Sequence, residues 1–129
     1  MSDFVLDASA LLAFIQDETG RDRVFELLAT GRCIASAVNI SEVAAKLADE
    51  GTVESDVVAI IDRLHIEVVP FDRSDALEGG RLRPATRSLG LSLADRACLA
   101  LALRLGLPVV TTDRQWANLN IGVHVELAR

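Results

Sequence analysis

Apolar positions along this chain alternate between short solid runs and helix-spaced patterns. Phe4–Leu6 is a solid run that stops at Asp7, and Val109–Thr111 is another that stops just short of Asp113. Arg32–Ser36, Glu67–Pro70 and Val123–Leu127 read as three more short strands, the second with Pro70 at its end. Between them lie helix patterns: Ala8–Ile15, then Arg21–Ala29 closed by Gly31, then "NISEVAAKLADEG" with Gly51 at its end. Residues 54–64 form another, with Val57, Val58, Ile60, Ile61 and Leu64 tracing one apolar face. Residues 73–90 are helical but weakened by Gly79-Gly80 and interrupted by Pro84 and Gly90. Leu93–Leu105 is a buried helix ending at Gly106-Leu107-Pro108, and Arg114–Asn118 is a short helical turn. Strands that are apolar on both faces and alternate with helices predict a parallel sheet in a three-layer α/β domain.

That architecture gives the strand endings a meaning. In open α/β sheets, ligands bind beyond the carboxyl ends of the strands, near the switch in strand order. Asp7 and Asp113 both stand at such ends, and Glu42 in "NISE" and Asp95 in "SLAD" stand at helix starts, which share the same edge. Each acid also has a plain structural explanation. Asp7 and Asp113 suit the N-caps of the helices that follow them, and Asn39–Glu42 and Ser92–Asp95 both fit a capping box. Read together, the acids pose a problem that capping does not solve, because two carboxylates about 5 Å apart repel by roughly 3 kcal/mol at an effective dielectric of 20. Protonation or a cation relieves it, and Mg²⁺ or Mn²⁺ is the cation suited to hard oxygen ligands. A carboxylate-held ion supplies a water-derived nucleophile and neutralises the charge that develops on a phosphodiester.

Composition narrows the reading further. The 129 residues fit one domain, half of them are hydrophobic, and no repeat, linker or low-complexity tract is visible. The longest apolar stretch, Ala97–Leu103, is too short to span a bilayer, and Asp3 and Asp7 stand where a secretory leader needs basic residues, so a cytoplasmic protein is expected. Cys33 and Cys98 are isolated, without disulfide or zinc spacing. A net charge of -6 argues against broad nonspecific nucleic-acid binding, though not against a nuclease whose acids hold metal. Aromatics make up 4% of the chain with no Tyr, which disfavours a base-stacking platform and leaves Trp116 as a packing anchor. No phosphate-binding glycine loop is present, and His65 and His124 lie in no motif. Arg81, Arg83, Arg87 and Arg96 cluster near the third acid, either as a solvated face or as a grip on phosphate or on a protein partner.

"FVLDASALLAF", "VNISEVAAKL" and "LGLSLADRACLALALRLGLPVVTTDRQW" resemble the successive motifs of PIN-domain ribonucleases, and more narrowly the VapC toxins of toxin–antitoxin pairs. The resemblance spans essentially the whole chain. It implies a mostly parallel five-stranded sheet and an acidic pocket for Mg²⁺ or Mn²⁺. Motif by motif, Asp7, Glu42, Asp95 and Asp113 match the family's four acids. Asp7 and Asp95 are then the most direct metal ligands, with Asp113 close by or acting through water. Glu42 binds a second ion or orients or deprotonates water. Ser9 and Thr111 match hydroxyl positions that aim the carboxylates, although Ser9 also suits plain capping. The resemblance further implies cleavage of a structured RNA such as tRNA or rRNA, inhibition of translation, a small VapB-like antitoxin as partner, and a homodimer. The apolar "VVAIIDRLHIEVV" stretch suits either core or subunit interface.

Two other functional classes compete. A noncatalytic PIN-fold binding subunit keeps the fold without cleaving. A receiver-like phosphoacceptor also places an acid after an early strand, but it needs an acidic pair just before Asp7 and a late lysine; Asp3 is too far upstream and no lysine follows Lys46.

Overall fold

A computed structural model of the chain describes residues 3–129. Five strands, β1 (Asp3–Leu6), β2 (Arg32–Ser36), β3 (Glu67–Val69), β4 (Val109–Thr111) and β5 (Val125–Leu127), form one sheet in the order β3-β2-β1-β4-β5. Every pairing among them is parallel, with Val5 opposite both Ile34 and Val109. The chain therefore builds outward from β1 through β2 to β3, then crosses back to lay β4 and β5 on the other side. The switch falls between β1 and β4, the strands that end in Asp7 and Asp113.

Successive strand residues feed opposite faces of the sheet, as the pleat requires. Leu6, Cys33, Ala35 and Val110 enter one core cluster with Leu11, Val24, Leu27, Val43, Leu47 and Val57. That cluster draws on α1 (Ala8–Ile15), α2 (Arg21–Thr30), α3 (Ala37–Asp49) and α4 (Glu54–Arg63). Val5, Ile34 and Val109 enter the other, against Cys98, Leu99 and Leu101 of α7 (Leu93–Leu105) and Trp116. The expected three-layer α/β domain is therefore present.

The ambiguous segment resolves into α5 (Arg73–Arg81), α6 (Arg83–Thr86) and a 3-10 turn at Arg87–Leu89, with Pro84 in the first turn of α6 and Gly90 left-handed. Gly79 and Gly80 do not break α5. Gly79 is buried where α5 crosses α7, and a Cβ there meets the main chain of Arg96 at 3.9 Å. Two ties hold the pair of helices: Arg96 Nη1 donates to the Gly79 carbonyl (2.9 Å), and Arg104 Nε donates to the buried Asp75 carboxylate (2.9 Å). The last strand is shorter than expected, because Val123 and His124 lie outside the β5 ladder, although the His124 carbonyl accepts from Val109 N (2.9 Å).

One boundary differs in a way that matters. The capping pattern "NISE" predicts a helix starting at Asn39, but α3 starts two residues earlier. Ser36 is its cap, with Oγ accepting from Val38 N (3.2 Å). Asn39 is thereby drawn inside the helix and fully buried, and Glu42 moves to the second turn, where it completes no capping box.

Candidate active site

The carboxyl edge of the sheet collects the ends of β1 and β4 and the starts of α1, α3 and α7. Asp7 lies at its centre and is 4% exposed. As the N-cap of α1 it accepts from Ala10 N at Oδ1 (2.9 Å). Ser9 Oγ donates to the same oxygen (2.7 Å), and Thr111 Oγ1, from the end of β4, donates to Oδ2 (2.6 Å). Ser9 Oγ in turn accepts from Thr112 N (3.0 Å), and Thr111 Oγ1 accepts from Asp113 N (3.1 Å). The two hydroxyls thus lock the switch between β1 and β4 and aim one carboxylate. Ser9 does not cap; it holds Asp7.

Three hydrogen bonds stabilise the ionised form of Asp7, yet its pKa stands at about 6, above the ordinary 3.8. Burial is the main cause, and the negative charge of Asp95 adds to it. Asp95 is the third residue of α7 and closes the capping box foreseen for it: its Oδ2 accepts from Ser92 N (2.8 Å), and its own amide donates to Ser92 Oγ (3.1 Å). Glu42 is exposed, but its carboxyl is also pushed up, first by partial burial and then by Asp95, while a hydrogen bond from the Asn39 side chain opposes the rise. Beneath the three lies the Cys98 thiol, fully buried on α7, which burial and the charges of Asp7, Asp95 and Glu42 together hold in its protonated form. The charges of three of the four acids are thus felt at one sulfur.

Asp113 differs. Its backbone belongs to the network through Thr111, but its exposed carboxylate turns to cap the next 3-10 turn (Arg114–Asn118), accepting from Gln115 N (3.0 Å). Among the described residues, no group of three or more His, Cys, Asp or Glu side chains stands ready to hold a metal ion in this arrangement. Of the arginines near the third acid, Arg81 pairs with Glu78 and Arg96 is tied to α5. Arg83 reaches only the Leu91 carbonyl (3.4 Å) by side-chain hydrogen bond, and among the described residues neither it nor Arg87 has an acidic partner. The acids lie on an open edge. The hollow of about 460 Å³ between α5 and α7 is lined by Leu77, Arg81, Ala100 and Leu103 among others, and by none of the four acids. Asn39, placed beneath Glu42 by α3, belongs to this region; the sequence pattern had assigned it to a cap.

The family model of the PIN domain matches residues 4–121. The chain belongs to the PIN domain family. Solved structures similar to this PIN domain include a DNA-bound VapBC from Salmonella typhimurium, with 21% identity, 100% of each chain covered and a TM-score of 0.78. Another is VapC20 of Mycobacterium tuberculosis, described as a sarcin-ricin loop cleaving toxin, with 16% identity, 94% of this chain and 98% of that one covered, and a TM-score of 0.73. VapBC-1 from nontypeable Haemophilus influenzae is similar at 16% identity, 98% of each chain and a TM-score of 0.73. No curated protein matches the chain by sequence. Among the described residues, no helix of this PIN domain is long and apolar enough to cross a membrane.

Proposed function

We propose that this PIN domain is a divalent-metal-dependent endoribonuclease of the VapC type, the toxin of a toxin–antitoxin pair. It hydrolyses phosphodiester bonds of structured RNA, tRNA or rRNA, and so inhibits translation. The observation that carries this reading is the buried Asp7 carboxylate, aimed by Ser9 and Thr111 at the switch between β1 and β4, with Asp95 at the start of α7 near enough for its charge to bear on it. The similar VapBC complexes, and a similar toxin described as cleaving the sarcin-ricin loop, support the assignment of class and of an antitoxin partner.

The residues fit a hard divalent cation. Asp7 and Asp95 are hard oxygen donors, and the Asp7 carboxyl, raised by burial with a smaller push from Asp95, is one that a bound cation would favour in its ionised form. Asp7 and Asp95 would hold the ion, with Glu42 and Asp113 reaching it by side-chain rotation or through water, since both are exposed. When bound, the ion supplies a water of lowered pKa and neutralises charge on the phosphate. Ser9 and Thr111 keep the Asp7 oxygens aimed. Glu42, with its carboxyl held above the usual range and open to solvent, is suited to take a proton from the attacking water at a carboxylate oxygen. Arg83 and Arg87, lacking acidic partners, are suited to grip phosphates along the approach to α7. The partners implied are a small antitoxin and a second copy of the chain.

The purified protein should cut a tRNA or rRNA fragment with Mg²⁺ or Mn²⁺, stop on addition of EDTA, and resume when the metal is restored. Persistent cleavage in EDTA, or none with either metal across both RNA classes, would overturn this reading.

A further inference from the structure

Asn39 is 0% exposed, three residues before Glu42 on α3. Its Nδ2 donates to the main-chain oxygen of Ala94 (3.1 Å), the residue immediately before Asp95 on α7. A carbonyl only accepts, so the amide end that faces Ala94 is its NH₂. That leaves Oδ1 buried, with no donor reaching it among the described residues. One amide therefore ties the stretch of α3 that leads into the second acid to the turn of α7 that carries the third, two acids more than fifty residues apart in sequence.

Packing does not explain this choice. A buried amide with an unanswered oxygen is costly, and an apolar side chain of the same shape is neutral or better. The Ala94 carbonyl sits inside a helix, where the amide four residues on is its regular partner, so it does not need Asn39. A residue that breaks the rule for core positions without structural return points to function.

We propose that Asn39 is a positioning residue of the active site, holding the Glu42 turn of α3 against the Asp95 turn of α7. This rests on the nuclease reading above. Asn39→Leu, nearly isosteric, keeps the packing and deletes both polar ends; Asn39→Ala avoids any overpacking and serves as the second variant. Melting temperature, Mn²⁺ affinity by calorimetry, and kcat and KM on a cleavable RNA are measured for each. Asn39→Leu is expected to melt within about 5 °C of wild type or above it. Its Mn²⁺ affinity falls about 10-fold and its kcat about 10- to 100-fold, as for other residues that orient metal-binding side chains. The KM for RNA stays within about two-fold, because ground-state binding is untouched. Wild-type kcat and Mn²⁺ affinity in both folded variants overturns the proposal, whether or not the melting temperature falls. A wild-type protein that neither binds Mn²⁺ nor cleaves RNA sinks the nuclease reading itself and takes this inference with it; an active wild type with indifferent variants sinks the inference alone.

Discussion

Replacing Asp7 by Asn is expected to abolish RNA cleavage while making the metal-free protein more stable at pH 7. The carboxyl is 4% exposed and titrates at about 6 in the folded chain against an ordinary 3.8. A group whose folded pKa is raised binds its proton more tightly in the native state, so an ionised Asp7 opposes folding. The sign follows: stability from this group is greatest near pH 4, declines as pH rises towards about 6, and stays low above it. The difference of about two pH units corresponds to roughly 3 kcal/mol as an upper bound. Asparagine keeps an oxygen for Ala10 N and Ser9, while the Thr111 hydroxyl rotates to accept from the new NH₂. A gain of about 1–3 kcal/mol at pH 7, several degrees in melting temperature, is expected, shrinking to nothing near pH 4. Cleavage falls by about a thousand-fold or more, since an ion's stabilisation of the transition state is worth several kcal/mol and each 1.36 kcal/mol is tenfold. Thermal melts from pH 4 to 8 beside a cleavage assay check both halves. A variant that is less stable at pH 7 and still cuts RNA contradicts the assignment of Asp7.

Trp116→Ala should cause the largest loss of stability of any single change near the site, about 3–5 kcal/mol. Trp116 is 1% exposed and packs in the cluster of Val5, Ile34, Cys98, Leu99 and Val109, so it anchors the turn that Asp113 caps to the second core. Truncation leaves a void that the neighbouring strands and α7 cannot close. Trp116→Phe should cost far less, about 1–2 kcal/mol, because it keeps the ring and removes an indole N–H that has no partner among the described residues. Denaturant unfolding of both variants separates the cases. Equal losses would mean that the indole makes a hydrogen bond that matters more than its volume.

Much of this was legible before any coordinates. Two-faced strands such as Phe4–Leu6 and Val109–Thr111 announce a parallel sheet, and the edge rule for such sheets leads one to expect Asp7, Glu42, Asp95 and Asp113 on one edge. The misreadings share one physical origin, contacts too distant in sequence to be seen locally. Ser36 and Asn39 are both good caps three residues apart; burial of position 39 inside the fold decides which one enters the helix. Gly79-Gly80 reads as a breaker, but the packing of α5 against α7, with Arg96 donating to the Gly79 carbonyl, keeps the segment helical. The direction of the Asp113 carboxylate depends on a 3-10 turn whose geometry Trp116 sets from below.

Central to the proposed nuclease is one divalent ion held by Asp7 and Asp95. Calorimetric titration of Mn²⁺ into wild type, Asp7→Asn and Asp95→Asn at pH 7 tests it most directly. A saturable site in wild type that is lost in both folded variants is the predicted result. No binding to wild type, or the same isotherm in all three proteins, would contradict it.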